Sequence, residues 1–271
     1  MRPPIVYGLL VSASLARSAL AASQTDVDNC RQPLDDDRRI AACTLVISDG
    51  TNPALLAAAL NNRGIAYRHK GEYDKAIQDH GEAIKLNPSF ASAFNSRAIA
   101  YSVKGDFENA LRDYNEAIKL NPTDAIAFQN RGLIHRDKGE LEQALRDFDE
   151  ALKLNPNFVV ALVGRCSTNA ILGRLDAALA DCNRSLQLRP GDPYAHDGRA
   201  NVYLKLGQFD SAIADYNAAL ERNPRIAGSL YGRGLARIKK GNVPEGNADM
   251  AAATALRPDI ARVMSTYGLS P

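Results

Sequence analysis

The residues best able to do chemistry in this chain recur at a fixed interval. Arginine stands at Arg63, Arg97, Arg131, Arg165, Arg199 and Arg233. An aspartate follows each one sixteen residues later, at Asp79, Asp113, Asp147, Asp181, Asp215 and Asp249. A guanidinium can bind a carboxylate or another anion through two parallel hydrogen bonds. The arginines are therefore either anion-binding groups or halves of internal ion pairs. Recurrence with the counter-ion attached favours the internal pair, because a ligand site has no reason to repeat together with its own neutralising partner. The histidines, His69, His80, His135 and His196, are scattered, and none has a second His or a Cys at metal-ligand spacing. The chain has no phosphate-binding loop, no G-x-S-x-G and no H-E-x-x-H. Acidic pairs such as Asp147 and Asp149 follow from helical periodicity. No catalytic residue, metal or cofactor is expected.

The four cysteines allow three connectivities. Cys30 and Cys43 bracket the start of an N-terminal helical stretch, where a short segment needs a staple, and a disulfide between them is expected. Cys166 and Cys182 share the sixteen-residue spacing of the charged pairs. They fit a disulfide between two helices, or two free thiols packed as small core side chains.

What positions these residues is a repeat of 34. Glycine marks it at Gly71, Gly105, Gly139, Gly173, Gly207 and Gly241, and proline at Pro88, Pro122, Pro156, Pro190, Pro224 and Pro258. Alanine marks it at Ala76, Ala110, Ala144, Ala178 and Ala212, with Gly246 in the sixth place. A strict period of this size signals stacked supersecondary units. In residues 91–124, Phe94, Ala98 and Tyr101 share one helical face. Gly105 ends that helix. A second helix follows with Phe107, Ala110, Leu111, Tyr114, Ala117 and Ile118 on its apolar face, and Pro122 stops it. Each unit is thus a helix hairpin. Its Arg and Asp both lie eight residues from the turn glycine, so folding brings them level. One hairpin cannot bury its apolar surface alone, and neighbours must stack.

This pattern resembles the tetratricopeptide repeat family. The resemblance rests on Leu60, Phe94 and Phe128, on Gly64, Ala98 and Gly132, on Tyr67 and Tyr101, and on the Gly, Ala and Pro series. It implies an all-α, right-handed superhelical solenoid. The first helices would line a concave groove that holds a peptide or partner protein, and the fold itself would carry no chemistry. Six units are expected over 57–260, in the order 57–90, 91–124, 125–158, 159–192, 193–226 and 227–260. His196 departs from the pattern in the fifth unit, and Arg237, Gly246, Asn247 and Thr254 depart in the sixth. Residues 22–56 read as an N-terminal half-repeat: one helix with Ile40, Cys43 and Ile47 on its face, and no regular helix before it. A last short helix over 260–268 is expected to cover the other end, and residues 261–271 are assigned to this C-terminal cap and tail.

Residues 1–21 read as a secretory signal peptide cut near Ala21, with Arg2, an apolar run and Ala19 and Ala21 in the small-residue places. The expected localisation is periplasmic or secreted, with the bacterial periplasm preferred. Cys30 lacks a lipoprotein cleavage context, and no integral membrane anchor is expected. A net charge of +2, from 33 basic and 31 acidic residues, gives no footprint for nucleic acid.

The function expected is a non-enzymatic scaffold that binds a peptide or partner protein. The alternative is an envelope enzyme or small-ligand carrier, which would need groove positions that break the repeat with clustered reactive residues; the sequence reading finds none. The groove row comprises Asn61, Asn95 and Gln129, then Ile65, Ile99 and Leu133, with Arg68 and Arg136 near its end. Carboxamides at this spacing can pair with an extended backbone, or these can be merely solvated positions.

Overall fold

The computed structural model describes residues 22–32, 35–50 and 52–270, and the expected signal segment 1–21 lies outside them. The described residues form helices and no strand. None of these helices is long and apolar enough to cross a membrane. Contacts divide the chain after Pro88 into two compact units.

The first unit holds α1 (Gln24–Arg31), α2 (Asp36–Asp49), α3 (Pro53–His69) and α4 (Tyr73–Leu86). The regular helix α1 corrects the sequence reading, which placed none before α2. Its signals are local. Ser23 and Asp26 cap it reciprocally. Arg39 of α2 donates to the Gln32 carbonyl just beyond its end, and Cys30 is bonded to Cys43. The buried face of α2 is also rotated from expectation. Arg39, Ala42, Cys43 and Val46 are buried, whereas Ile40 and Ile47 are half-buried. The reason is that α2 packs against both α1 and α3. Asn52 caps α3, and Pro53 occupies the first turn, where its missing N–H costs nothing.

The second unit stacks five hairpins and a final helix. The hairpins are α5 (Ala91–Val103) with α6 (Phe107–Leu120), α7 (Ala125–Asp137) with α8 (Leu141–Leu154), α9 (Val159–Ile171) with α10 (Leu175–Leu188), α11 (Pro193–Lys205) with α12 (Phe209–Arg222), and α13 (Ala227–Lys239) with α14 (Val243–Leu256). Helix α15 (Ile260–Thr266) packs on α13 and α14. In both units the hairpin turn is a glycine with φ between 72° and 91°, a conformation that costs other residues a Cβ clash. Alanines such as Ala110, Ala144 and Ala212 are fully buried where paired helices meet. Phe148 of α8 is fully buried against Gly132 of its own hairpin and Gly164 of the next. A side chain of this size contributes about 1.5–3 kcal/mol through burial. The core near the C-terminal end gathers Tyr216, Tyr231, Leu235, Ile260, Met264 and Leu269.

Candidate functional site

Each arginine of the series faces the aspartate sixteen residues on. Its Nε and one terminal nitrogen donate to the two carboxylate oxygens at 2.6–2.8 Å in all six hairpins. The aspartates are 3–7% exposed. The arginine's other arm carries no signal within a single repeat. The remaining terminal nitrogen of Arg131, Arg165, Arg199 and Arg233 donates to Asn115, Asp149, Asn183 and Asn217, sixteen residues earlier, at 2.7–2.8 Å. Arg63 reaches Thr44 in the same way, at 3.1 Å. Each of these arginines therefore ties its own hairpin to the second helix before it. Arg97, Arg131 and Arg199 also lie over Phe94, Phe128 and Tyr203. With both sides of the fork engaged, Arg63, Arg131, Arg165, Arg199 and Arg233 are poorly placed to take an external anion.

Cys30 and Cys43 join α1 to α2, with Cα atoms 4.7 Å apart. Cys30 lies at the end of α1 rather than in a structureless lead-in. Cys166 and Cys182 join α9 to α10 with a Cα separation of 5.6 Å, and both are fully buried. Each histidine has a local partner. His80 is buried beside Asn61, with Nδ1 3.0 Å from Oδ1. His69 stands beside Asp36, and His135 beside Glu140. His196 places Nδ1 2.8 Å from Asp215 and Nε2 3.0 Å from the Pro190 carbonyl. Among the described residues no group of three His, Cys, Asp or Glu side chains could hold a metal ion.

The groove row divides between the units. In the first unit Asn61 is 6% exposed and occupied by His80, so it is not open to a peptide backbone. That corrects its assignment: the position lies on the floor, packed between helices. Ile65 is half-buried beside it, and Arg68 turns a terminal nitrogen toward His69. In the second unit Gln129 is likewise buried, at 4% exposure. Ile99 packs on the α5–α6 core. Asn95 keeps its side-chain oxygen buried without a hydrogen-bond partner among the described residues. Leu133 and Arg136 reach an open cavity of about 730 Å³.

That cavity lies within the second unit. Leu133 and Arg136 of α7, Val160, Val163 and Ser167 of α9, and Tyr194, Asp197 and Asn201 of α11 form one side of its lining. Gly228 of α13 and Val263, Met264 and Tyr267 at α15 complete it. Ile126, Val160 and Tyr194, at successive 34-residue steps, are 52%, 43% and 58% exposed. Asp197 breaks the groove row, where earlier hairpins have Asn61, Asn95, Gln129 and Val163. The break falls in the fifth hairpin, beyond the three hairpins that supply the expected row. Ser229 donates to Asp197 Oδ1 at 2.5 Å, and Asn201 donates to Oδ2 at 3.2 Å. Tyr216, buried on α12, donates to the Asn201 oxygen at 2.7 Å. Burial pushes the Asp197 carboxyl above its ordinary range against these two bonds, and pushes the Tyr216 hydroxyl up as well.

Stacked helix hairpins, with first helices of the second unit facing a shared cavity, define the class of helical-repeat interaction scaffolds. The chain belongs to the tetratricopeptide repeat family: residues 57–90, 91–124 and 125–158 match one model of that repeat and residues 198–264 match another. No curated protein matches the chain by sequence. Among solved structures it is similar to a tetratricopeptide repeat protein from Parabacteroides merdae, at 23% identity over 87% of this chain and 93% of that one, with a TM-score of 0.68. It is also similar to PilW, a widely conserved type IV pilus biogenesis factor, at 21% identity over 77% and 98%, with a TM-score of 0.66. YrrB, described as having an unusual peptide-binding site, aligns at 22% identity over 70% and 98%, with a TM-score of 0.50. At these identities the likeness is one of fold.

Proposed function

We propose that this protein is a non-enzymatic periplasmic scaffold that binds an extended peptide of a partner protein along the first helices of its hairpins. The carrying observation is the cavity of about 730 Å³, with the apolar side chains of Val160 and Tyr194 exposed beside it. Exposed apolar groups repeating at one phase of successive helices suit a chain that runs across them. The unpartnered oxygen of Asn95 supports the same reading, because a buried acceptor without a donor is costly until something donates to it. Two disulfides suit an oxidising compartment outside the cytoplasm, and the apolar leader at residues 1–21 suits export to it.

Site-specific photo-crosslinking in the envelope of the native host tests the surface. A photoreactive residue at Val160 or Tyr194 is expected to capture a partner, and one at the exposed Gln143 on the second helix α8 is not. Capture from Gln143 alone would move the interface to the other face. Intact mass of the exported protein tests the compartment. A chain beginning near Ala22 is expected, and a full-length chain held in the membrane would overturn the export reading.

A further inference from the structure

We infer that the cavity of the second unit is a socket for a lysine or arginine side chain of the bound peptide, flanked by aliphatic residues, with Asp197 as the anchor. The inference rests on the groove reading above and gives it a chemistry. Asp197 is the only carboxylate of the groove row, and among the described residues it makes no ion pair. The aspartates of the repeat series each face an arginine, whereas the donors to Asp197 are the neutral groups Ser229 and Asn201. A half-buried carboxylate without a cation is complementary to one.

The carboxylate is also held in place. Tyr216 fixes Asn201, Asn201 and Ser229 fix the two oxygens of Asp197, and Tyr216 and Ser229 are fully buried. This preorganisation lowers the ordering cost of binding. Gly228 keeps the approach open. It lies in helix α13, where the backbone does not call for glycine and glycine is unfavourable. A Cβ there would lie 4.0 Å from Asp197 Oδ1 and 3.7 Å from Met264 Sδ, so a larger side chain would extend into the space beside the carboxylate. Val160, Val163, Tyr194 and Met264 supply apolar walls for the methylene stem of a basic residue and for its neighbours. The rim carries Arg136, Arg225 and Arg257. Arg136 is turned onto Asp137 and Arg257 onto Asp259, so two of the three rim cations are already paired.

A phage-displayed library of random nonapeptides, selected on the mature protein and on its Asp197→Asn variant, tests the inference. The wild type is expected to enrich Lys or Arg beside aliphatic residues, and the variant to lose the basic preference while still selecting apolar peptides. In the tightest wild-type binder, Lys→norleucine is expected to weaken affinity by about tenfold on the wild type and by less than about twofold on Asp197→Asn. Binders without a basic preference, or a preference that survives in Asp197→Asn, would overturn the cation socket. If such binders still lose affinity on Gly228→Leu and Tyr194→Ser, the groove reading stands without the socket. Binders indifferent to both changes, or no binders at all, would overturn both readings. Should Asp197→Asn fail to fold, the lysine-to-norleucine comparison on the wild type decides alone.

Discussion

Removing one arginine from the repeat series should cost far more than removing both partners. Consider Arg131→Ala. Asp147 is 4% exposed and loses two charge-assisted bonds, of 2.8 and 2.6 Å, while Asn115 loses a third of 2.7 Å. Breaking a buried pair on one side costs about 3–5 kcal/mol because the other charge stays behind. Two features reduce this. The Arg131 side chain is about 20% exposed, so water already screens part of the pair. His135 Nε2 stands 3.9 Å from Asp147 and supplies a partial substitute when protonated. The expected loss is therefore about 2–4 kcal/mol. The double change Arg131→Met with Asp147→Leu strands no charge and should cost less than about half of that. Urea denaturation followed by circular dichroism measures both, compared at their midpoints because a repeat array need not unfold in one step. A double variant as unstable as Arg131→Ala, or an Arg131→Ala variant within about 0.5 kcal/mol of the wild type, would refute the argument. Loss of partner binding with the melting point unaltered would instead make Arg131 an anion site.

Gly164→Ala should lower stability by about 1–3 kcal/mol, read as a thermal shift, because the new Cβ would fall 2.6 Å from the Phe148 ring. Replacing Cys166 and Cys182 together by alanine should cost about 3 kcal/mol in the denaturation midpoint, the chain-entropy value for a loop of this length. Replacing Cys30 and Cys43 should instead act locally, giving faster proteolysis within residues 22–50 while the second unit stays protected. Asp197→Asn should raise the melting temperature at neutral pH. Burial lifts this carboxyl above its ordinary 3.8, so over the window between the two values the folded chain holds a proton that the unfolded chain has released. Stability from this group is present below 3.8 and lost as pH rises through the raised value, so the gap between variant and wild type should close in acid; a constant gap would contradict it.

Much of the fold can be read from the chain because each repeat writes the same instructions. The turn glycines, closing prolines and small residues at Ala98 and Ala110 are local requirements with local signals. The Arg–Asp register follows from arithmetic about the turn glycine, eight residues to either side. What lay beyond reach depends on neighbours. The backward arm from Arg131 to Asn115 joins two hairpins, and nothing in one hairpin alone reveals it. Helix α1 is short and polar, so its apolar periodicity is too weak to read without its caps and disulfide. Asn61 and Gln129 have the right phase for a groove, but depth is set by packing, and both are buried. Asp197 was legible as the acidic residue at a phase that holds Asn61, Asn95, Gln129 and Val163 in the earlier hairpins. Its meaning depended on Ser229, Asn201 and Tyr216, which come from three different stretches of chain.

The directions of the arginine's two arms bear on how such a protein can change length. The full counter-charge of each arginine is in its own hairpin, while the arm that reaches back usually ends on a neutral acceptor, Asn115, Asn183 or Asn217. Deleting or duplicating one block of 34 residues therefore strands no buried ion. Within the Arg–Asp series it leaves an exposed side chain such as Asn115 or Asp149 facing water, or one guanidinium with a free terminal nitrogen. Had the arginine been neutralised by the next hairpin instead, every such event would expose an unpaired charge at a new boundary and cost several kcal/mol at once. Electroneutrality within the single hairpin makes the block a heritable unit, one that unequal recombination can add or remove while the remaining hairpins keep their internal charge balance.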